Sequence, residues 1–194
     1  MSEGTRRIVR RAVVAAYVAA GAGLVAAVTI VLFFAIGQPW GTLNDTALLV
    51  MTAAIPFLMV AFWELGGLTP TPLALAAQVT GWIAVVAWCV VQALMIVGVL
   101  SFNYNAAATG GLLIEALTLI VIGLWIAGAN LLAGPWLNAI RWFGIAAGLG
   151  FVLLPLGLIA GGVDHPLTYA GGVGYSIVFP IWAFLMGRHL SAIA

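Results

Sequence analysis

The stretch RRIVRRAVVAAYVAAGAGLVAAVTIVLFFAI, Arg6–Ile36, decides the fold. Four arginines lead into 25 residues, Ala12–Ile36, that carry no charge at all. A hydrocarbon core about 30 Å thick is crossed by about 20 helical residues, so this run is long enough to span a bilayer as one helix. Basic residues ahead of an apolar run also open a secretory signal peptide, but the apolar part there has only about 7–15 residues. The run is therefore read as a retained first transmembrane span.

Working outward, the pattern recurs five times. Further apolar segments are expected at Thr46–Trp63, Leu73–Leu100, Gly111–Leu132, Arg141–Gly161 and Leu167–Gly187. Short connections rich in Gly, Pro, Asn and Asp separate them, as turns require. The runs are too long, and alternate too little, for barrel strands. The expected fold is all-α: one polytopic membrane domain, residues 1–194, built as a bundle of six transmembrane helices.

Composition agrees. The 194 residues are 65% hydrophobic and 6% charged, where soluble domains carry about 25% charged residues. That excludes an ordinary soluble domain, a disordered chain and a nucleic-acid binder with a basic patch. The single cysteine, Cys89, excludes an internal disulfide and a cysteine-based zinc site. All six basic residues are arginine. Without lysine there is no Schiff-base, phosphate-loop or lysine-base chemistry.

The arginines also set orientation. With six spans and a cytoplasmic N-terminus, Arg6, Arg7, Arg10, Arg11, Arg141 and Arg188 all fall at inner segments, the positive-inside pattern. The expected location is a cell inner membrane, with both termini in the cytoplasm.

Small residues mark close helix approach in lipid. Gly144 and Gly148, then Gly157 and Gly161, repeat at a spacing of four, and Gly171, Gly172 and Gly174 open the last span. The plain reading is tight packing within one chain, and the sharper one is a dimer seam. Pro56, Pro155 and Pro180 sit inside spans, where kinks are expected. Trp40, Trp63, Trp136, Trp142 and Trp182 suit the interfacial belt. Trp82, Trp88 and Trp125 fall deeper, with Gln78 and Gln92 one helical turn from Trp82 and Trp88 as local partners.

Polar residues within the spans are the functional candidates. Glu115 lies about 7 Å into the fourth span, where an exposed charge is costly. It should face the bundle, sharing its face with Thr118, Ile122 and Trp125. Gln92 in the third span is a plausible hydrogen-bond partner. Glu115, Gln92, Trp88, Trp125 and Thr118 are thus the ligand or ion candidates, against the simpler reading of interhelical bonds and core packing. A second, outer polar group comprises Asp45, Asn103, Tyr104, Asp164 and His165. Asn44, Asp45 and Asp164 would equally serve as helix caps. Glu64 and Arg141 would pair at the inner surface.

Several chemistries lack material. His165 and His189 are expected on opposite sides, so no metal site forms. No HExxH, GxSxG or phosphate loop occurs. Ser176 lies too far along its helix from His165 to be activated, and Glu115 has no second acid expected at its depth. No catalytic residue, metal or cofactor is assigned.

Two hairpins, Trp63–Gly81 (WELGGLTPTPLALAAQVTG) and Asn130–Gly144 (NLLAGPWLNAIRWFG), resemble each other as parallel repeats. The stretches GQPWGTLND at Gly37–Asp45 and GLWIAGANLLAGPWLNAIRWFG at Gly123–Gly144, with Pro180 and Trp182, make the whole chain resemble small six-span bacterial integral membrane proteins of unknown function. The resemblance implies a six-helix bundle in a bacterial inner membrane and carries over no functional residue. The functional expectation is a non-enzymatic membrane protein that binds a small apolar or amphipathic ligand or serves in a larger assembly. The rivals are a transporter or channel using Glu115, and an intramembrane enzyme. Expected partners are the lipid bilayer and a homo-oligomer or larger membrane complex, with no nucleic acid.

Overall fold

A computed structural model of the chain describes residues 1–66, 70–100, 110–133 and 138–194. The elements are α1 (Glu3–Ile36), α2 (Trp40–Leu65), α3 (Pro72–Ile96), α4 (Gly110–Leu132), α5 (Asn138–Gly161), α6 (Pro166–Val173), a π-helical turn (Gly174–Val178) and α7 (Phe179–Ser191). The last three join into one span, so six helices are long and apolar enough to cross a membrane. The protein is an all-α, multi-pass membrane bundle, and no strand occurs among the described residues.

Local chemistry explains where the helices depart from the apolar boundaries. Helix α1 begins at Glu3, well before the apolar run, because Ser2 caps it by accepting from the Thr5 N–H at 3.2 Å. Glu3 in the first turn suits the positive helix end and pairs with Arg7 at 3.7 Å, one turn on. Helix α2 starts at Trp40, six residues ahead of the expected Thr46, and Gln38 Oε1 accepts from the Thr42 N–H at 3.3 Å in place of a cap. Asn44 and Asp45 therefore lie inside this helix and do not cap it. Thr71 caps α3 by accepting from the Ala74 N–H at 3.1 Å, with Pro72 at the first helical position. That helix ends at Ile96, short of the expected Leu100, because Gly98 takes a φ of 74° and closes the helix in the left-handed region.

The packing order is a closed ring. Each span packs on its neighbours in sequence, and α7 returns against α1. Helix α1 buries an almost unbroken row of small residues, from Ala12 through Ala16, Ala19 and Gly23 to Ala26, where α2 and α7 pack on it. Its large residues, such as Leu24, Val28 and Phe34, face outward. This inverts a soluble helix: in lipid, packing selects small residues inside and leaves large apolar ones to the acyl chains.

The interior is aromatic. Phe62 of α2 stands edge-to-face on Trp125 of α4, at 5.8 Å between ring centres, and stacks on Trp182 of α7 at 6.0 Å. Phe151 and Phe179 extend the cluster. Trp182, expected at the inner boundary, is thus fully buried. Trp142 is 66% exposed at the start of α5, as an interfacial tryptophan should be. Trp136 lies outside the described residues.

The glycines act within the chain. A Cβ on Gly148 would strike the backbone of Gly123 and Ala127 on α4. A Cβ on Gly150 would come within 2.5 Å of the Gly174 Cα, and the reverse holds equally. In both repeated hairpins the closing glycine also receives a side chain of the preceding helix: Gly81 admits Met59, and Gly144 admits Asn130.

Candidate functional site

One end of the bundle carries the four N-terminal arginines, Arg141 and Arg188. The polar candidates lie toward the other end. Asp45 is five residues into α2 and Glu115 five residues into α4, both about 7 Å along their helices. Gln92 is four residues from the end of α3, about 6 Å. Trp88 and Thr118 lie about one turn deeper, near 12 Å, and Thr52 of α2 deeper again. Helix α3 packs on both α2 and α4, and these residues make up a polar layer spread over depths of about 6–18 Å along the three helices.

Apart from Asp45, the members of the layer are buried. Gln92 is 1% exposed and Glu115 8% exposed. Trp88, Thr118, Thr52 and Asn44 are buried with them. As expected, Thr118, Ile122 and Trp125 are buried on the face of α4 that holds Glu115. The Thr118 hydroxyl donates to the Glu115 main-chain carbonyl at 2.7 Å, so it has only its acceptor side to offer a ligand. Asp45, half-buried, is close enough to Glu115 for the two carboxyl groups to interact electrostatically. The sequence offered no such pairing. Because α2 starts six residues early, Asp45 lies inside that helix and not in the turn before it.

Four polar atoms in this layer are enclosed without a hydrogen-bond partner among the described residues: Thr52 Oγ1, Trp88 Nε1, Gln92 Oε1 and Glu115 Oε2. Two oxygens that sequence reasoning would pair with neighbours, on Glu115 and Gln92, thus stay unpaired, and no Glu115–Gln92 hydrogen bond is present among the described residues. Neither are the expected local tryptophan pairs. Gln78 accepts from Trp125 Nε1 of the next helix, at 2.9 Å, and not from Trp82. Trp82 is 44% exposed on the outer face of α3. A glutamine one turn from a tryptophan on the same helix loses to a neighbouring helix that presents its indole N–H directly.

Asp164 and His165 of the outer group are engaged elsewhere. His165 caps α6, its Nδ1 accepting from the Leu167 N–H at 3.3 Å, while Asp164 accepts from the Tyr169 hydroxyl at 3.2 Å. Both sit where α6 folds back on α5, and a Cβ at Gly161 would meet the His165 ring. The cap is thus His165, not Asp164. Asn103 and Tyr104, with Asn105, fall outside the described residues. At the arginine end, Arg141 donates to the Leu131 carbonyl at 3.0 Å and makes no ion pair with Glu64, which is exposed.

Asn130 is the polar residue that sequence reasoning passed over. It is fully buried, donates to the Ile126 carbonyl at 2.8 Å and accepts from Trp182 Nε1 at 3.1 Å. Together with Gly144, which yields the space, it ties α4, α5 and α7. An amide two residues from the end of an apolar helix, a glycine opening the next helix and a tryptophan in the last were the available signals.

Chemically, the layer offers two acids, an amide, a threonine hydroxyl and an indole N–H. It can hold a proton or a donor-bearing group. It brings no nucleophile to a base, and no three metal-ligating side chains cluster among the described residues. Comparison with family models, curated proteins and solved structures gave no match.

Proposed function

We propose that the protein is a non-enzymatic, multi-pass protein of a bacterial inner membrane, with its arginine end and both termini in the cytoplasm, that binds a small amphipathic molecule in the polar layer between α2, α3 and α4. One observation carries this reading: Glu115 and Gln92 are more than nine-tenths buried, yet Glu115 Oε2 and Gln92 Oε1 have no partner among the described residues. An enclosed, unpaired polar group costs about 1–3 kcal/mol. A ligand with a donor-rich head, such as a primary ammonium, would satisfy both acceptors, and the nearby Asp45 would add to the attraction. Its apolar body would lie against the surrounding side chains.

Conduction is less well supported. Toward the arginine end, Met59, Phe62, Trp125, Ile126, Phe151, Phe179 and Trp182 fill the interior. Trp125, engaged by both Gln78 and Phe62, belongs to that packing and not to a ligand wall.

The test is thermal stability in detergent with straight-chain alkylammonium ions against alcohols of equal length. The ammonium series should stabilise the wild type, by about 2.7 kcal/mol at a hundredfold excess over Kd. Glu115→Gln, which keeps the shape, should lose most of that gain. Equal responses in the two proteins would overturn the reading. Native mass spectrometry of gently purified protein should show a retained small ligand. A larger complex without one would favour the subunit alternative.

A further inference from the structure

A groove runs along the outer surface between α1 and α2, with a volume of about 630 Å³, within the range of small-molecule sites. Arg10 and Arg11 line one end, and Val14, Val18, Ala53 and Phe57 line the apolar remainder. The groove exists because both helices present alanines here, leaving a trough between larger neighbours.

Its two chemistries are arranged in order of depth. Arg10 and Arg11 close the charged segment, and the uncharged run begins at the next residue. They therefore stand at the edge of the hydrocarbon layer, while Val14 and Val18 follow one and two turns inside it. Glu3, the acid nearest in sequence, is engaged with Arg7. No acidic side chain lines the groove. Among the described residues, two guanidinium groups with ten N–H donors thus lack a protein anion, and planar guanidinium matches a phosphate bidentately.

We infer that this groove is a binding site for an acidic phospholipid, its phosphate on Arg10 and Arg11 and an acyl chain laid along Val14, Val18, Ala53 and Phe57. The site is separate from the polar layer and does not depend on the role of Glu115. A zwitterionic lipid would fit the apolar part equally but would bring its own cation to the arginines.

The experiment is native mass spectrometry of the detergent-solubilised full chain titrated with phosphatidylglycerol or phosphatidylcholine. An arginine near an anionic headgroup is worth about fivefold, so the double variant Arg10→Gln/Arg11→Gln should bind phosphatidylglycerol about 25-fold more weakly. Arg6→Gln/Arg7→Gln removes the same charge from the same helix outside the groove, and should weaken binding clearly less than the Arg10/Arg11 variant does. Ala53→Phe fills the apolar part with the arginines intact, and should lower phosphatidylglycerol occupancy as well. These positions are exposed, and unchanged thermal midpoints will verify that the variants fold. The inference is overturned if the Arg6/Arg7 variant loses as much lipid as the Arg10/Arg11 variant, which would mean diffuse attraction. It is equally overturned if Ala53→Phe binds like the wild type, or if phosphatidylcholine binds as well as phosphatidylglycerol.

Discussion

At Asn130, one side chain does what a soluble core would leave to many apolar contacts. Lipid gives little hydrophobic drive between helices, so a specific bond and a close fit set how they dock. Asn130→Leu would keep the volume and strand the Trp182 N–H in an apolar interior. We expect a loss of about 1–3 kcal/mol, read as a lower unfolding midpoint in detergent. Trp182→Phe removes the donor, so in the double variant the penalty of Asn130→Leu should shrink, and a double-mutant cycle will report the coupling. Additive losses would deny the bond any weight. The sequence displayed both residues but not their pairing, because that depends on how two distant helices are rotated about their axes. The same limit hid the Trp125–Gln78 bond. It did not hide the burial of Glu115 and Thr118, since their shared face follows from helical spacing alone.

Among the elements, the last span shows how a helix absorbs a proline. Pro180 has no N–H to give, so the carbonyl four residues earlier, on Ser176, has no donor from that position. Just before it the ladder widens, and the Phe179 N–H reaches back five residues to Gly174. The widened turn also brings Gly174 against Gly150 of α5. Gly150→Ala should therefore push α5 from the last span and lower the unfolding midpoint. Gly172→Ala and Gly21→Ala, where an added Cβ meets nothing within 4 Å, should be neutral or stabilising by up to about 1 kcal/mol. Indistinguishable midpoints for the three variants would deny that contact any role. The number and type of elements were legible from apolar length. Their ends were not, because caps and a left-handed glycine set them: Ser2, Thr71 and Gly98 outweighed the boundaries of the apolar runs.

For the molecule as a whole, an even number of spans places both termini at one end. With Cys89 replaced by alanine, cysteines introduced at Ser2 and Ala194 should react with a membrane-impermeant maleimide from the same side, and only after the cells are opened. Labelling from opposite sides would remove the six-span topology and the orientation with it. What apolar length could not supply was the cyclic order of the helices, since the contact between α7 and α1 is written in small residues more than a hundred positions apart. That closure has a consequence in time. Synthesis proceeds at about 5–20 residues per second, so α1 waits on the order of 10–30 s for the segment that covers it. Through that interval α1 has at most α2 to cover its alanines, and by its end the growing bundle is a five-sixths ring with an open seam. Whatever holds the seam shut against wrong partners, whether translocation machinery or surrounding lipid, must give way only when the final helix arrives.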